Sequence, residues 1–448
     1  MSQPRGSFGS NFGMIAAAAG SAIGLGNIWR FPYVVGENGG AAFIFMYLLI
    51  IFIIGMPVLM GEFALGRRTN LNVFGGFRKL APNTKWPLIG LLGILTSFVI
   101  LSFYNVVAGW TLSFLVDSVM NKFSTQSSEQ MSTAFDSFIT SGWKPIIWLT
   151  FFIIVCIKIV ASGIEKGIEK YNKILMPMLF LILVLLCVNS VTLSGFSEGF
   201  RFLFAPDFSK ITVDVALSAL GQAFFSLSLG MGTMMTYGSY MRKQDNIVRT
   251  TTSVIIADVF IALLAGIAIF PAVFSFGIEP TSGADLVFKT LPNIFAQMTG
   301  GYILGVLFFL LLVVAAITSA ISIFEVLTSY FSEELKFSRK KAVLIVAISV
   351  FITSSLCALS MMPDSALVIA GNNLFDAFDK TSAMFMLPIG GFFIALYTGW
   401  FFKEEHLRDE LSSGGTFKIK YFPIFYFIIK YLAPIMIFVV FLSSFGIF

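Results

Sequence analysis

Residues 20–32 read GSAIGLGNIWRFP, and the reading of this stretch decides the fold. It lies inside an apolar run from 11 to 35, yet carries Gly20, Gly24 and Gly26, then Asn27, Arg30 and Pro32. Lipid offers no partner to a free backbone N–H or C=O, so an interruption inside a membrane span needs a reason. A small-residue face from Ala16 to Gly24 would let helices approach closely. That leaves the polar Asn27 and the charged Arg30 unexplained. An unwound segment lining a site accounts for both.

The rest of the chain agrees that the run is a membrane span. Of 448 residues 57% are apolar and only 12% charged, too few charges to solvate a soluble surface of this size. At about 20 apolar residues per span the composition supports roughly ten or more crossings. Beyond the first, runs fall at 40–65, 87–116, 145–162, 168–190, 213–240, 247–276, 300–331, 341–360, 367–402 and 421–446. The expectation is one all-α polytopic membrane domain over 1–448 with eleven transmembrane helices. Cys156, Cys187 and Cys357 are odd in number and scattered, which argues against disulfides or a Cys metal site. His406 sits among charges in KEEHLRDE and reads as a solvated loop residue. No GxxxxGK[ST] loop occurs, so ATP-driven pumping lacks its basic part. MSQPRGSFGS has no apolar stretch before a cleavage site, so no signal peptide is expected.

Placing the N-terminus inside puts twenty-one cations, from Arg5 to Lys420, on the loops of one face. Six remain on the other: Lys122, Lys144, Arg201, Lys210, Lys289 and Lys380. The positive-inside rule then sets the N-terminus in the cytoplasm and, with eleven spans of the cell membrane, the C-terminus outside. The net charge of +5 follows these loops rather than a basic stripe with interleaved aromatics. No nucleic-acid partner is expected.

The sixth run repeats the pattern of the first in QAFFSLSLGMG, residues 222–232, where Gln222, Ser226 and Ser228 precede Gly230-Met231-Gly232. Two interrupted helices, each opening a set of five spans, point to an inverted-repeat secondary transporter with its site at mid-membrane. The repeats would be 11–190 and 213–402, with 421–446 as a separate eleventh helix. Half-helix N-termini can face a carboxylate while freed carbonyls coordinate a cation. The eighth run adds AAITSAIS, Ala315–Ser322. Its Thr318 and Ser319 hydroxyls ordinarily bond back to their own helix and gain weight only through a partner site. In the seventh run Asp258 stands near the bilayer centre, where an ionised carboxylate costs on the order of 3 kcal/mol. It needs a cation, and a hard one suits carboxylate, carbonyl and hydroxyl oxygens.

At these residues the sequence resembles the neurotransmitter:sodium symporter family, in particular its eleven-span bacterial amino-acid transporters. The resemblance runs from Arg5 through GSAIGLGNIWRFPYVVGENGGAAF, residues 20–43, to the tenth run. It implies the LeuT-type fold, a 5+5 inverted repeat with broken helices 1 and 6; that architecture is known from this family. It implies one sodium site built from Ala22, Asn27, Ser226, Asp258 and the substrate carboxylate. A second would use the carbonyls of Gly20, Ile23 and Ala315 with the oxygens of Thr318 and Ser319. The substrate would touch Ser21, Ala22, Leu25, Gly26, Ile100, Tyr104, Phe225, Ser226, Ser228, Met231, Ser319 and Ile323, with the Tyr104 hydroxyl near its carboxylate. Phe225 and Ile323, taken alone, are ordinary packing residues.

The same resemblance pairs Arg30 with Asp379 as an outer gate and Arg5 with Glu333, near Tyr240, as an inner latch. Gly167 and Pro177 match the family's helix-unwinding motif in the fifth span, although both weaken a helix for ordinary reasons. Two departures matter. The twelfth span of many relatives is missing. Tyr47, Gln222 and Ser226 match three chloride-site positions, but the fourth is Ala262, which offers no ligand. Glu325 is a second buried acid with no role read from the sequence.

The expected function is sodium-coupled symport of neutral, hydrophobic or aromatic L-amino acids by alternating access, without chloride. A proton-coupled carrier of the same fold and a channel or membrane sensor with a vestigial pocket are the alternatives. No nucleophile-base or metal constellation supports an enzyme. The expected partners are the amino acid, two coupling sodium ions and the lipid bilayer; no cofactor is implied, and the sequence sets no oligomeric state.

Overall fold

The computed structural model describes residues 6–125, 128–277 and 286–443. Nine helices among them are long and apolar enough to cross a membrane, and Asn11–Ala22 with Gly26–Glu37 forms a further span bent by 46°. The sixth run is two shorter helices, Val213–Ser226 and Thr233–Gly238, separated by irregular backbone. Helices satisfy every backbone group within one segment, which is the requirement lipid imposes.

Burial sorts the spans. Gly301–Glu333 and Pro87–Val119 have 78% and 72% of their apolar windows inside the protein, and they pack along each other at the centre. Ile164–Val191 and Phe422–Val439 reach only 33% and turn Leu181, Val188, Ile424 and Phe438 outwards. Asn11–Ala22 and Thr233–Gly238 lie against Gly301–Glu333, and the residues of both breaks are buried, so their irregular backbone is enclosed by protein rather than by lipid.

Caps set the ends. Ser10 starts the first helix by accepting from Gly13 N–H at 3.0 Å, and Thr212 does the same for Val213–Ser226 through Val215 N–H at 3.2 Å. Asn246 opens Ile247–Ser275 by accepting from Arg249 N–H at 2.9 Å. One boundary departs from the sequence reading. Residues 367–373 are not the start of the tenth helix; Val368–Ile369 pairs with Asn372–Asn373 as a small hairpin. Ala370 and Gly371 both have positive φ, the turn that matches the twist of two antiparallel strands, and Asn373 then caps Leu374–Thr381.

One face of the bundle is tied by ions. Arg67 pairs with Glu410 at 2.8 Å and donates to the Asp245 carbonyl at 2.6 Å. These contacts join the end of the second span to the loops before the seventh and the last. Residues 6–10 lie on this face, where Phe8 packs edge-on to Tyr237 and Tyr240 and Arg242 donates to the Gly9 carbonyl at 3.4 Å.

Candidate functional site

The first helix breaks at Ile23-Gly24-Leu25. A Cβ on Gly24 would lie 2.1 Å from Ser319 Oγ and 3.1 Å from the Tyr104 hydroxyl, so only glycine lets these groups meet here. Leu25 N–H donates to the Tyr104 hydroxyl at 3.4 Å. The second break holds Ser228, Gly230 and Gly232 at φ of 52°, 80° and 80°, and Ser228 donates to the Ser21 carbonyl at 3.2 Å. Carbonyls near the two breaks also accept from side chains. Gln222 donates to Gly26 O at 3.0 Å, and Ser97 to Met231 O at 2.9 Å.

Asp258 is fully buried at the meeting of four elements. Its Oδ1 accepts from Ser226 Oγ at 2.7 Å and Asn27 Nδ2 at 2.8 Å, and its Oδ2 accepts from the Tyr47 hydroxyl at 3.0 Å. Each donor can turn away and leave oxygens for a cation, because a carboxylate, a hydroxyl and an amide oxygen are all hard ligands. Ala262, one turn further along the helix, is buried and offers no polar atom.

A second cluster forms where the first span crosses the eighth. Thr318 Oγ1 lies 3.3 Å from Ile23 O and 3.0 Å from Ala315 O. Ser319 Oγ lies 3.3 Å from Gly20 O and 3.1 Å from Ser21 O. The structure thus brings Gly20, Ile23, Ala315, Thr318 and Ser319 together.

Between the clusters is a pocket lined by Ser21, Ala22, Gly24, Gly26, Ile100, Tyr104, Phe225, Ser228, Met231, Ser319 and Ile323. Of the residues expected to touch substrate, Leu25 and Ser226 are not in its walls; Leu25 meets the pocket through its N–H and Ser226 belongs to the Asp258 cluster. The walls close on a cavity of about 20 Å³. Above it Arg30 stacks over the Phe225 ring at 4.5 Å and reaches Asp379 at 3.6 Å, an ion pair longer than a direct hydrogen bond. Arg5 lies outside the described residues. Glu333 accepts from Asn72 N–H at 2.8 Å and from its Nδ2 at 3.0 Å.

Sequence reasoning missed two supports, Glu62 and Glu169, and left a third, Glu325, without a role. Glu62, fully buried in the second span, accepts from Gly230 N–H at 2.8 Å and Met235 N–H at 3.3 Å, so one carboxylate ties the irregular backbone of the sixth-helix break to the start of Thr233–Gly238. An acid inside the apolar run 40–65 was the available signal. Glu325 accepts from the Tyr240 hydroxyl at 2.7 Å and from Arg339 at 3.1 Å. Glu169 accepts from Gly9 N–H at 2.7 Å and Ser10 Oγ at 2.9 Å, docking the N-terminal segment on the fifth span.

The profile of the "Sodium:neurotransmitter symporter family" matches residues 5–141 and 120–448. The chain belongs to this family. It is therefore a multi-pass, sodium-coupled membrane transporter of the LeuT-type fold, in a family of transporters rather than of enzymes. It is 37% identical over 438 residues to the "uncharacterized sodium-dependent transporter YhdH" of Bacillus subtilis, spanning 98% of this chain and 97% of that one. The crystal structure of MhsT in complex with L-phenylalanine superposes with a TM-score of 0.91 at 42% identity, covering 98% of this chain and 100% of MhsT. A more distant relative is the "sodium- and chloride-dependent GABA transporter ine" of Drosophila melanogaster, 25% identical over 89% of this chain and 47% of its own length.

Proposed function

We propose that this symporter imports neutral, hydrophobic or aromatic L-amino acids with two sodium ions, by alternating access and without chloride. The observation that carries this is the convergence of two oxygen clusters on the helix breaks, with one pocket between them. Asp258, Ser226 and Asn27, with the Ala22 carbonyl, would hold the first sodium against the substrate carboxylate. Gly20, Ile23, Ala315, Thr318 and Ser319 would hold the second.

No charged side chain lines the pocket, while Ile100, Phe225, Met231 and Ile323 give it apolar walls, which favours a neutral, apolar side chain. L-phenylalanine in MhsT supports the same class. Two sodium ions entering down about 100 mV and a tenfold gradient release roughly 7 kcal/mol, enough for several decades of accumulation. Chloride is unnecessary on this reading because Asp258 supplies a fixed negative charge where Ala262 withholds a ligand. Arg30 and Asp379 would close the outer path, and Arg5 and Glu333 the inner one. The apolar runs favour eleven spans, arranged as repeats 11–190 and 213–402 plus a last helix, and the cation bias favours a cytoplasmic N-terminus and an outside C-terminus.

Purified protein in liposomes with an inward sodium gradient should concentrate phenylalanine or leucine. Equal uptake driven by a proton gradient in sodium-free buffer would replace sodium by protons. Absence of any concentrative uptake would leave a sensor or channel.

A further inference from the structure

A groove of about 570 Å³ opens on the surface of the protein where the second span, the start of the seventh and the connection into the last helix meet. Phe52, Met56 and Met60 recur every fourth residue along about 12 Å of one wall. Ile424, Phe425 and Ile428 line it from the last helix. The exposed Arg249, Lys418 and Lys420 also line it, and no acidic side chain does. The nearby acids are engaged elsewhere: Glu410 and Asp409 pair with Arg67 and Arg68, and Asp245 with Arg242. Among the described residues none of the three cations has a carboxylate partner.

We propose that this groove binds one anionic phospholipid of the cytoplasmic leaflet, its phosphate on Arg249, Lys418 and Lys420 and an acyl chain between the apolar walls. The leaflet follows from the proposed sidedness, since the groove lies on the face that carries residues 6–10. A free phosphate would leave the trough unfilled. A choline lipid would bring a cation against three like charges. Each basic group near an anionic surface contributes about 1 kcal/mol, so three give a preference for anionic lipid on the order of a hundredfold.

The test is thermal stability and lipid retention in phosphatidylglycerol against phosphatidylcholine nanodiscs. Native protein should retain phosphatidylglycerol through delipidation and gain stability from it. Arg249→Gln/Lys418→Gln/Lys420→Gln should lose that preference, and Met56→Trp, which fills the trough and keeps the cations, should lose it too. Sodium-dependent substrate binding by both variants checks that they are folded. Equal retention of the two lipids, a preference that survives the triple change, or full stabilisation by inorganic phosphate alone would overturn the proposal.

A second inference rests on the sodium reading above and on a different observation. Asn172, in Lys170–Val191, is fully buried; its Nδ2 donates to Ile168 O at 2.9 Å, which fixes the amide orientation, while Oδ1 accepts no hydrogen bond. A Cβ at Gly20 would sit 2.1 Å from that oxygen and 3.3 Å from Thr318 Cβ, so the oxygen borders the second cluster. We infer that Asn172 Oδ1 is a further oxygen for the second sodium ion. Because Asn172 stands between Gly167 and Pro177, it would link occupancy of that site to winding of the fifth span.

Asn172→Ala should raise the sodium concentration for half-maximal thermal stabilisation about tenfold, with the sodium-free melting temperature unchanged or raised. In hydrogen exchange, sodium should protect residues 167–177 in the native protein and less in Asn172→Ala. An unchanged sodium requirement in Asn172→Ala, alongside a raised one in Thr318→Ala/Ser319→Ala, would overturn the role of Asn172. If the latter variant is also unchanged, the second sodium site itself is misplaced.

Discussion

The carboxylate of Asp258 lies 2.7 Å from the hydroxyl of Ser226, the last helical residue before the break in the sixth span. Ala262 stands one turn along the same face, where i and i+4 side chains are neighbours. A fixed carboxylate there can balance a bound sodium ion without a mobile anion. Replacing chloride by gluconate should leave uptake by the native protein unchanged. Asp258→Asn should be weak unless chloride is supplied. Strict chloride dependence of the native protein would sink the argument. On the inward return, after sodium leaves, the bare carboxylate would take up a proton, so uptake should also carry protons outwards.

Met231 lines the pocket, and its carbonyl is held by Ser97 at 2.9 Å, so its backbone is fixed while its unbranched side chain adapts. Met231→Phe should therefore shift preference from aromatic towards smaller aliphatic substrates, by about tenfold in the ratio of tryptophan to leucine affinity, of the order a methylene or two in an apolar pocket commands. Competition against a labelled substrate measures that ratio, and no change would remove Met231 from the specificity wall.

Thr318 and Ser319 reach across to Ile23, Gly20 and Ser21 carbonyls rather than only back to their own helix. Changing both to Ala should raise the sodium concentration for half-maximal uptake at least tenfold while the protein still reaches the membrane. A sodium titration that does not move places the second ion elsewhere.

The breaks were legible because glycines beside polar residues cannot serve a lipid-facing helix. Asp258 was legible for the same reason: an acid in lipid needs a partner, and its neighbours Asn27 and Ser226 stood in the two interrupted stretches, while Tyr47 came only through the family resemblance. Glu62 obeys that rule equally, yet its partners are the backbone N–H groups of Gly230 and Met235, which have no sequence signature. The short helix Glu404–Ser412 and the hairpin at 368–373 also escaped notice, since loops outside the bilayer are freed from the hydrophobic pattern that made the spans visible. Glu325 was seen as an acid without a role because Arg339 lies beyond the end of its helix, brought back only by the turn at residues 334–338.

That turn leads to the last prediction. Glu325 is fully buried, with one oxygen shared between the Tyr240 hydroxyl and Arg339, while Arg339 also donates to the Val160 carbonyl at 2.9 Å. The arrangement clamps the end of the eighth span to the segment after the sixth and to the fourth, on the face that carries residues 6–10. Removing the cation alone strands a buried carboxylate, which is far more costly than removing both charges. Arg339→Gln should lower stability by about 3 kcal/mol, and Glu325→Gln/Arg339→Gln should recover most of that loss. If the clamp also holds the inner path shut, Arg339→Gln should increase labelling of a cysteine placed at Ser10 from the inside, and the double variant should reduce it. Equal stability and equal labelling in the single and double variants would show that Glu325 does not depend on Arg339 for its charge.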